Sequence, residues 1–73
     1  MENYDEKIEQ VASHIMEELH CACIETSIDK IWCTMTVDGV TQIYALSPYE
    51  LWQNMNSYLN GILKVKSIIR KAL

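Results

Sequence analysis

The feature that most constrains this chain is the dipeptide Asp38-Gly39. It is flanked by Ile31-Trp32-Cys33-Thr34-Met35-Thr36-Val37 and Val40-Thr41-Gln42-Ile43-Tyr44-Ala45. Both flanks are rich in the β-branched and aromatic residues that suit strands. A two-residue hairpin loop in the type I′ conformation needs positive φ at both central positions, which Asp-Gly tolerates well. The dipeptide therefore predicts an antiparallel hairpin. A regular ladder counted outward from such a loop sets Val37 opposite Val40, Met35 opposite Gln42, Cys33 opposite Tyr44 and Ile31 opposite Leu46. In that register these residues form the mostly apolar face that packs on helices. Trp32, Thr34, Thr36, Thr41, Ile43 and Ala45 form the opposite, open face.

The segments on either side read as helices. From about Asn3 to His20, the residues Tyr4, Ile8, Val11, Ile15, Leu19 and Ala22 recur at steps of three and four, which gathers them on one face. Ala12 and Met16 widen that stripe. Glu2, Glu6, Glu9, Ser13, Glu17 and His20 lie opposite. Between Cys23 and Asp29 the periodicity is lost. Thr26 and Ser27 suit a turn there; a short strand through Ala22 to Thr26 is possible but not required.

The last helix starts at Ser47-Pro48-Tyr49-Glu50, where serine caps, proline takes the first helical position and glutamate stands three residues after the cap. Leu51, Met55, Tyr58, Ile62, Val65, Ile69 and Ala72 then repeat in phase through Asn60-Gly61. The unbroken phase favours a continuous helix of residues 48 to 73, about 39 Å long at 1.5 Å per residue. A mid-helix glycine costs roughly 1 kcal/mol, which leaves a break at Gly61 as the alternative. The fold expected is thus a single α+β domain spanning residues 1 to 73: helix, two-stranded antiparallel hairpin, long C-terminal helix. A helix that long overhangs the hairpin, and its end, with Ile62, Val65, Ile69 and Leu73, is the expected interface of a homodimer.

Composition narrows the function classes. The 73 residues are 49% hydrophobic, a full globular share for a chain that buries only about 60% of its unfolded surface. Some apolar surface is left for a partner. No apolar run approaches the roughly 20 residues that span a bilayer, and the acidic start, Met1 to Glu9, lacks the pattern of a signal peptide. A cytoplasmic location is expected, and with it reduced thiols at Cys21, Cys23 and Cys33. The net charge is −4. Residues 1 to 25 hold Glu2, Asp5, Glu6, Glu9, Glu17, Glu18 and Glu25 against Lys7 alone, whereas residues 61 to 73 hold Lys64, Lys66, Arg70 and Lys71 and no acid.

Each candidate site carries a plain structural reading beside the functional one. The acids Glu2, Glu6, Glu9 and Glu17 form either a docking ridge for a basic surface or a solvated face whose early members complement the helix dipole. Trp32 and Thr34, with Ile43 and Ala45 across from them, form either an interface patch or a face covered by another element. His20, Cys21, Cys23 and Cys33 lack the paired C-x2–4-C spacing of a zinc site, and Cys33 on the apolar face behaves as a small hydrophobe. The basic C-terminal residues divide between two sides of the helix, and bases there also complement the dipole. The uncharged row Gln53, Asn54, Asn56, Ser57 and Asn60 suits an interface. Two glycines leave no phosphate-cradling loop, and no third group orients His14 or His20 toward a cysteine.

The reading that results is a non-enzymatic module, without cofactor or metal, that binds another protein with a basic surface. Its most specific form is a small acidic inhibitor of the phage or mobile-element kind. In size, charge and lack of catalytic motifs the chain is similar to anti-CRISPR proteins, although no motif matches a particular family. Such an inhibitor would sterically block a nucleic-acid-binding host complex. The alternative is a small nucleic-acid-associated transcriptional regulator using Lys64, Lys66, Arg70 and Lys71. Overall acidity weighs against direct nucleic-acid binding.

Overall fold

Alternation of apolar and polar residues in Ile24-Glu25-Thr26-Ser27-Ile28 adds a strand that the turn-forming character of Thr26 and Ser27 obscures. A computed structural model of the chain describes residues 4–20, 23–29 and 31–72. Its elements, in order, are α1 (Tyr4–Leu19), β1 (Ile24–Ile28), β2 (Cys33–Val37), β3 (Val40–Ala45) and α2 (Pro48–Ala72). The strands form one antiparallel sheet in the order β1-β2-β3. The sheet has three strands rather than the two expected. Isolated, Thr26 and Ser27 favour a turn. Opposite Met35 and Thr34 they are ladder residues instead. Asp38 ties the ends together: its Oδ1 accepts the Cys23 N–H at 2.8 Å, and its own N–H donates to the Cys23 carbonyl at 2.9 Å.

The Asp38-Gly39 loop has the expected geometry, with φ of 50° and 83°. Its register holds for two pairs, Val37 with Val40 and Thr36 with Thr41. Beyond them the ladder shifts, so that Met35 faces Ile43, Thr34 faces Tyr44 and Cys33 faces Ala45. Gln42 is the extra residue, in the manner of a β-bulge. One inserted residue exchanges the two faces of everything beyond it. Ile43 and Ala45, expected on the open face, are therefore buried with Cys33 and Met35, while Gln42 and Tyr44, expected inside, are exposed. Ile31 and Leu46 lie beyond the ladder and are exposed as well.

Both helices cover one face of the sheet. The core is Ile8, Val11 and Ile15 from α1, Cys33, Met35, Ile43 and Ala45 from the sheet, and Leu51, Met55 and Leu59 from α2. Of the stripe expected on α1, Ile8, Val11 and Ile15 are buried and Tyr4 and Leu19 half-buried. Of that on α2, Leu51 and Met55 are buried with Leu59 added, Tyr58 and Ile62 are half-buried, Val65 and Ile69 are exposed, and no break occurs at Gly61. Ser47 caps α2 as its sequence predicts, its Oγ accepting the Glu50 N–H at 3.2 Å.

The helices run in the same direction. Tyr4 packs edge-on to Tyr49 at 5.4 Å and beside Trp52 at 5.8 Å. Fourteen residues along α1, the Lys66 ammonium of α2 meets the Glu18 carboxylate at 2.9 Å and donates also to the Glu18 carbonyl. The domain thus has two ends. One carries both helix starts, the β1–β2 turn and the end of β3. The other carries the Asp38-Gly39 loop and the end of α2, which runs on past the Lys66–Glu18 contact and the end of α1.

Candidate functional site: the aromatic end of the sheet

The face of the sheet turned from the helices is built of short hydroxyl side chains and two aromatics. Glu25, Thr36 and Thr41 share one row across the three strands, and Ser27, Thr34 and Tyr44 share the next. Thr36 and Thr41 place their hydroxyl oxygens 3.5 Å apart. Trp32 stands just ahead of β2, where its carbonyl accepts the Asp29 N–H at 3.0 Å and closes the β1–β2 turn. Its ring meets Tyr44 edge-on, with centroids 6.1 Å apart and planes at 82°. That geometry suits the ring quadrupoles and holds both rings upright on the surface.

The pair is not covered by any other element. Trp32 is 51% exposed and Tyr44 64%. Ile28, Ile31 and Leu46 are exposed around the same end of the sheet, and Tyr49 opens α2 there. A cluster of large apolar residues at one end of a domain whose core is already filled marks an interaction surface more often than an accident. Trp and Tyr are also the residues that most often dominate binding energy at interfaces.

This end is acidic. Asp5 and Glu6 occupy the first turn of α1, Glu50 the first turn of α2, and Asp29 the β1–β2 turn. Asp5 and Glu9 line a groove of about 420 Å³ with Ile8, Thr26 and Ile28, between α1 and β1. Lys7, the base of this region of α1, is drawn inward. Its ammonium lies 5.1 Å from the Tyr4 ring centre and 5.0 Å from that of Trp52, within cation–π range.

The site residues expected from sequence separate into three groups. Glu6, Glu9, Glu17 and Trp32 are exposed, and Thr34 is half-buried on the open face. Ile43 and Ala45 belong to the core. Glu2 and Leu73 lie outside the described residues, as do Cys21 and Ala22. Sequence reasoning missed Tyr44, which the bulge at Gln42 turns outward, and Ile28, which belongs to the unforeseen strand.

The remaining candidates are dispersed or used locally. Cys23 and Cys33 sit at opposite ends of the sheet, and burial raises the Cys33 thiol above its ordinary pKa. Among the described residues no three of His, Cys, Asp or Glu converge as metal ligands, and no helix is long and apolar enough to cross a membrane. Two of the uncharged polar residues of α2 bond within their own helix, Gln53 to the Tyr49 hydroxyl at 2.7 Å and Asn56 to the Trp52 carbonyl at 3.0 Å. No protein-family model matches the sequence, and no curated protein or solved structure shows significant similarity to it.

Proposed function

We propose that this chain is a non-enzymatic protein-binding module that sets the aromatic end of its sheet, rimmed by the acids of α1, against a basic protein surface. The observation that carries the reading is the exposed pair Trp32 and Tyr44, with Ile31 and Leu46 beside them, on an end whose side-chain charge is acidic. The apolar residues would supply affinity by leaving water. The carboxylates Glu6 and Glu9 would supply steering and choice of partner. In its most specific form this is a small acidic inhibitor of the phage or mobile-element kind, comparable to anti-CRISPR proteins. Surfaces that bind nucleic acid are basic. An acidic, aromatic end of this sort would compete with the phosphate backbone for such a surface and block it sterically, within the cytoplasm of the host cell.

The reading as a nucleic-acid regulator draws less support. Of its four bases, Lys66 already gives its ammonium to Glu18, and a phosphate ligand would have to compete with that carboxylate. Filter binding to duplex DNA and to RNA at low salt decides this point. Tight binding that falls steeply as salt rises would favour the regulator.

The main test is capture from extract of the native host by the immobilised chain, with identification by mass spectrometry. It is followed by titration of the captured partner with the wild type, with Trp32→Ala plus Tyr44→Ala, and with Glu6→Gln plus Glu9→Gln. The aromatic double variant should keep the circular dichroism of the wild type and lose binding by about two orders of magnitude, as hot-spot residues do. The carboxamide variant should slow association and flatten its salt dependence. Undiminished binding by the aromatic variant would remove this end of the molecule from the account.

A further inference from the structure

We infer that the free end of α2 is covered by a second copy of this chain, with the two α2 helices packed antiparallel across a two-fold axis. The inference is independent of the docking reading above, because it concerns the opposite end of the molecule.

It begins with the apolar stripe of α2. Leu51, Met55 and Leu59 are buried and Ile62 is half-buried, but Val65 is 56% and Ile69 52% exposed. The periodicity has not changed along this run. The cover thins along it: Leu19, the last residue of α1, still lies by Val65, and α2 then runs on past it. Leu19 joins Tyr58, Gly61, Ile62 and Val65 in lining a groove of about 540 Å³ at this place. Nothing lies within 4 Å of where a Cβ on Gly61 would stand, so a second helix can approach the backbone closely there.

The surface areas fit a second copy. A folded chain of 8.5 kDa ordinarily exposes about 4,700 Å², whereas this one exposes 5402 Å². The radius of gyration is 13.0 Å, against about 11 Å for a compact chain of this length. The excess of roughly 700 Å² approaches the ~800 Å² that each partner contributes to a standard stable interface.

Charge selects this end and this orientation. A two-fold contact sets the same patch against itself and so must be self-complementary. A two-fold contact through the aromatic end would set the exposed Glu6 and Glu50 toward their own counterparts. The α2 end carries both signs, Lys64 and Arg70 exposed on α2 and Glu17 exposed on the last turn of α1, while Glu18 is already paired with Lys66 of its own chain. Antiparallel packing brings the bases of one chain toward the acids of the other. Parallel packing would stack Lys64 and Arg70 on their counterparts and bring the acidic ends together.

Sedimentation equilibrium of the full chain over a micromolar concentration series tests the inference. The expected mass is twice 8.5 kDa, unchanged by Trp32→Ala. Val65→Asp with Ile69→Asp should give a monomer with native circular dichroism. Lys64→Glu with Arg70→Glu alters only exposed charges, and should weaken association by about tenfold or more. A chain that is monomeric throughout, or a dimer indifferent to both variants, would overturn the inference. So would a different protein found seated on this face of a monomeric chain. Donor and acceptor dyes on the N-terminal amines of mixed chains test orientation. Antiparallel packing sets the two aromatic ends farther apart than the 45 Å length of one molecule, so little energy transfer is expected, and strong transfer would refute that arrangement. A dimer of this form presents two docking ends facing away from each other and gains avidity on any repeated target.

Discussion

The bulge at Gln42 moves Ile43 off the face it would share with Trp32 and into the core, and paired alanine substitutions measure this directly. Ile43 is 9% exposed and belongs to the core cluster that the sheet forms with the helices. Cutting a buried isoleucine to alanine removes its transfer energy and leaves a cavity, at a cost of 2–5 kcal/mol. At the rim of the core the lower part of that range applies, about 2–3 kcal/mol. Trp32→Ala loses an edge-on ring contact of about 0.5–1.5 kcal/mol and only half of a side chain's burial, for a total near 1 kcal/mol. A domain of this size holds only about 3–5 kcal/mol, so Ile43→Ala should leave it barely folded while Trp32→Ala leaves it intact. Urea denaturation followed by far-UV circular dichroism provides the assay. With a slope near 1 kcal/mol per molar urea, the Ile43→Ala midpoint should fall by about 2 M and the Trp32→Ala midpoint by about 1 M or less. In the regular register counted from the loop the order is opposite, because Ile43 is then on the open face beside Trp32. A larger loss for Trp32→Ala than for Ile43→Ala would refute the bulge and the burial argument together.

Three other perturbations test separate parts of the structure. Deleting Gln42 should yield a folded protein with the same far-UV spectrum, because the remaining pairs then form a regular ladder with Ile43 and Ala45 still facing the helices; an unfolded product would show that the bulge residue is required. Asp38→Ala removes the acceptor of the Cys23 N–H and places alanine at a φ of 50°, at a cost of about 1–2 kcal/mol. Asp38→Asn keeps both the acceptor and the tolerance for positive φ, so its melting temperature should stay within a few degrees of the wild type, and an equal loss for both variants would contradict this account. The Lys66 hydrogen bond lowers the pKa of the Glu18 carboxyl below its ordinary value of 4.5. A lowered folded-state pKa means that this stabilisation is complete above that value and is lost as the pH falls below it. Lys66→Met should therefore narrow the stability difference between neutral and acidic solution, as read from urea midpoints across that range, and an unchanged pH profile would show that the pair contributes nothing.

What could be read before the structure was known follows from the range of the interactions concerned. The two helices, the Ser47 cap and the Asp38-Gly39 loop rest on contacts within a few residues, and sequence spacing reports those contacts directly. Strand β1 rests on pairing with β2 and on the bonds between Cys23 and Asp38, fifteen residues apart, and the short alternation inside Ile24–Ile28 is too weak to outweigh the turn-forming Thr26 and Ser27 without them. The bulge is a harder case. Thr41-Gln42-Ile43 is compatible with a straight ladder, and only burial of Ile43 beside Met35 selects the shifted one. That one residue moved two members of the expected site into the core and brought Tyr44 out beside Trp32. Leu59 was missed for a related reason. It stands four residues after Met55 and three before Ile62, on the edge of the same stripe, and it is the contact with the rest of the core that shows it buried while its neighbour Tyr58 is only half-buried.

The shared direction of α1 and α2 has a consequence for how the chain comes together. Antiparallel neighbours joined by a short connection can zip from their loop, but these helices meet only after three strands have been laid between them. Their ion pair joins residues separated by 48 positions, and closing so distant a contact costs loop entropy before it returns any burial. The meander of β1, β2 and β3 is built from neighbouring segments and can form early. The apolar stripe of α1 is translated before α2, yet much of it stays wet until α2 arrives to shelter it. Folding of this small domain therefore waits for the synthesis of α2, and a chain cut short before it would carry a sticky amphipathic helix with little to bury it.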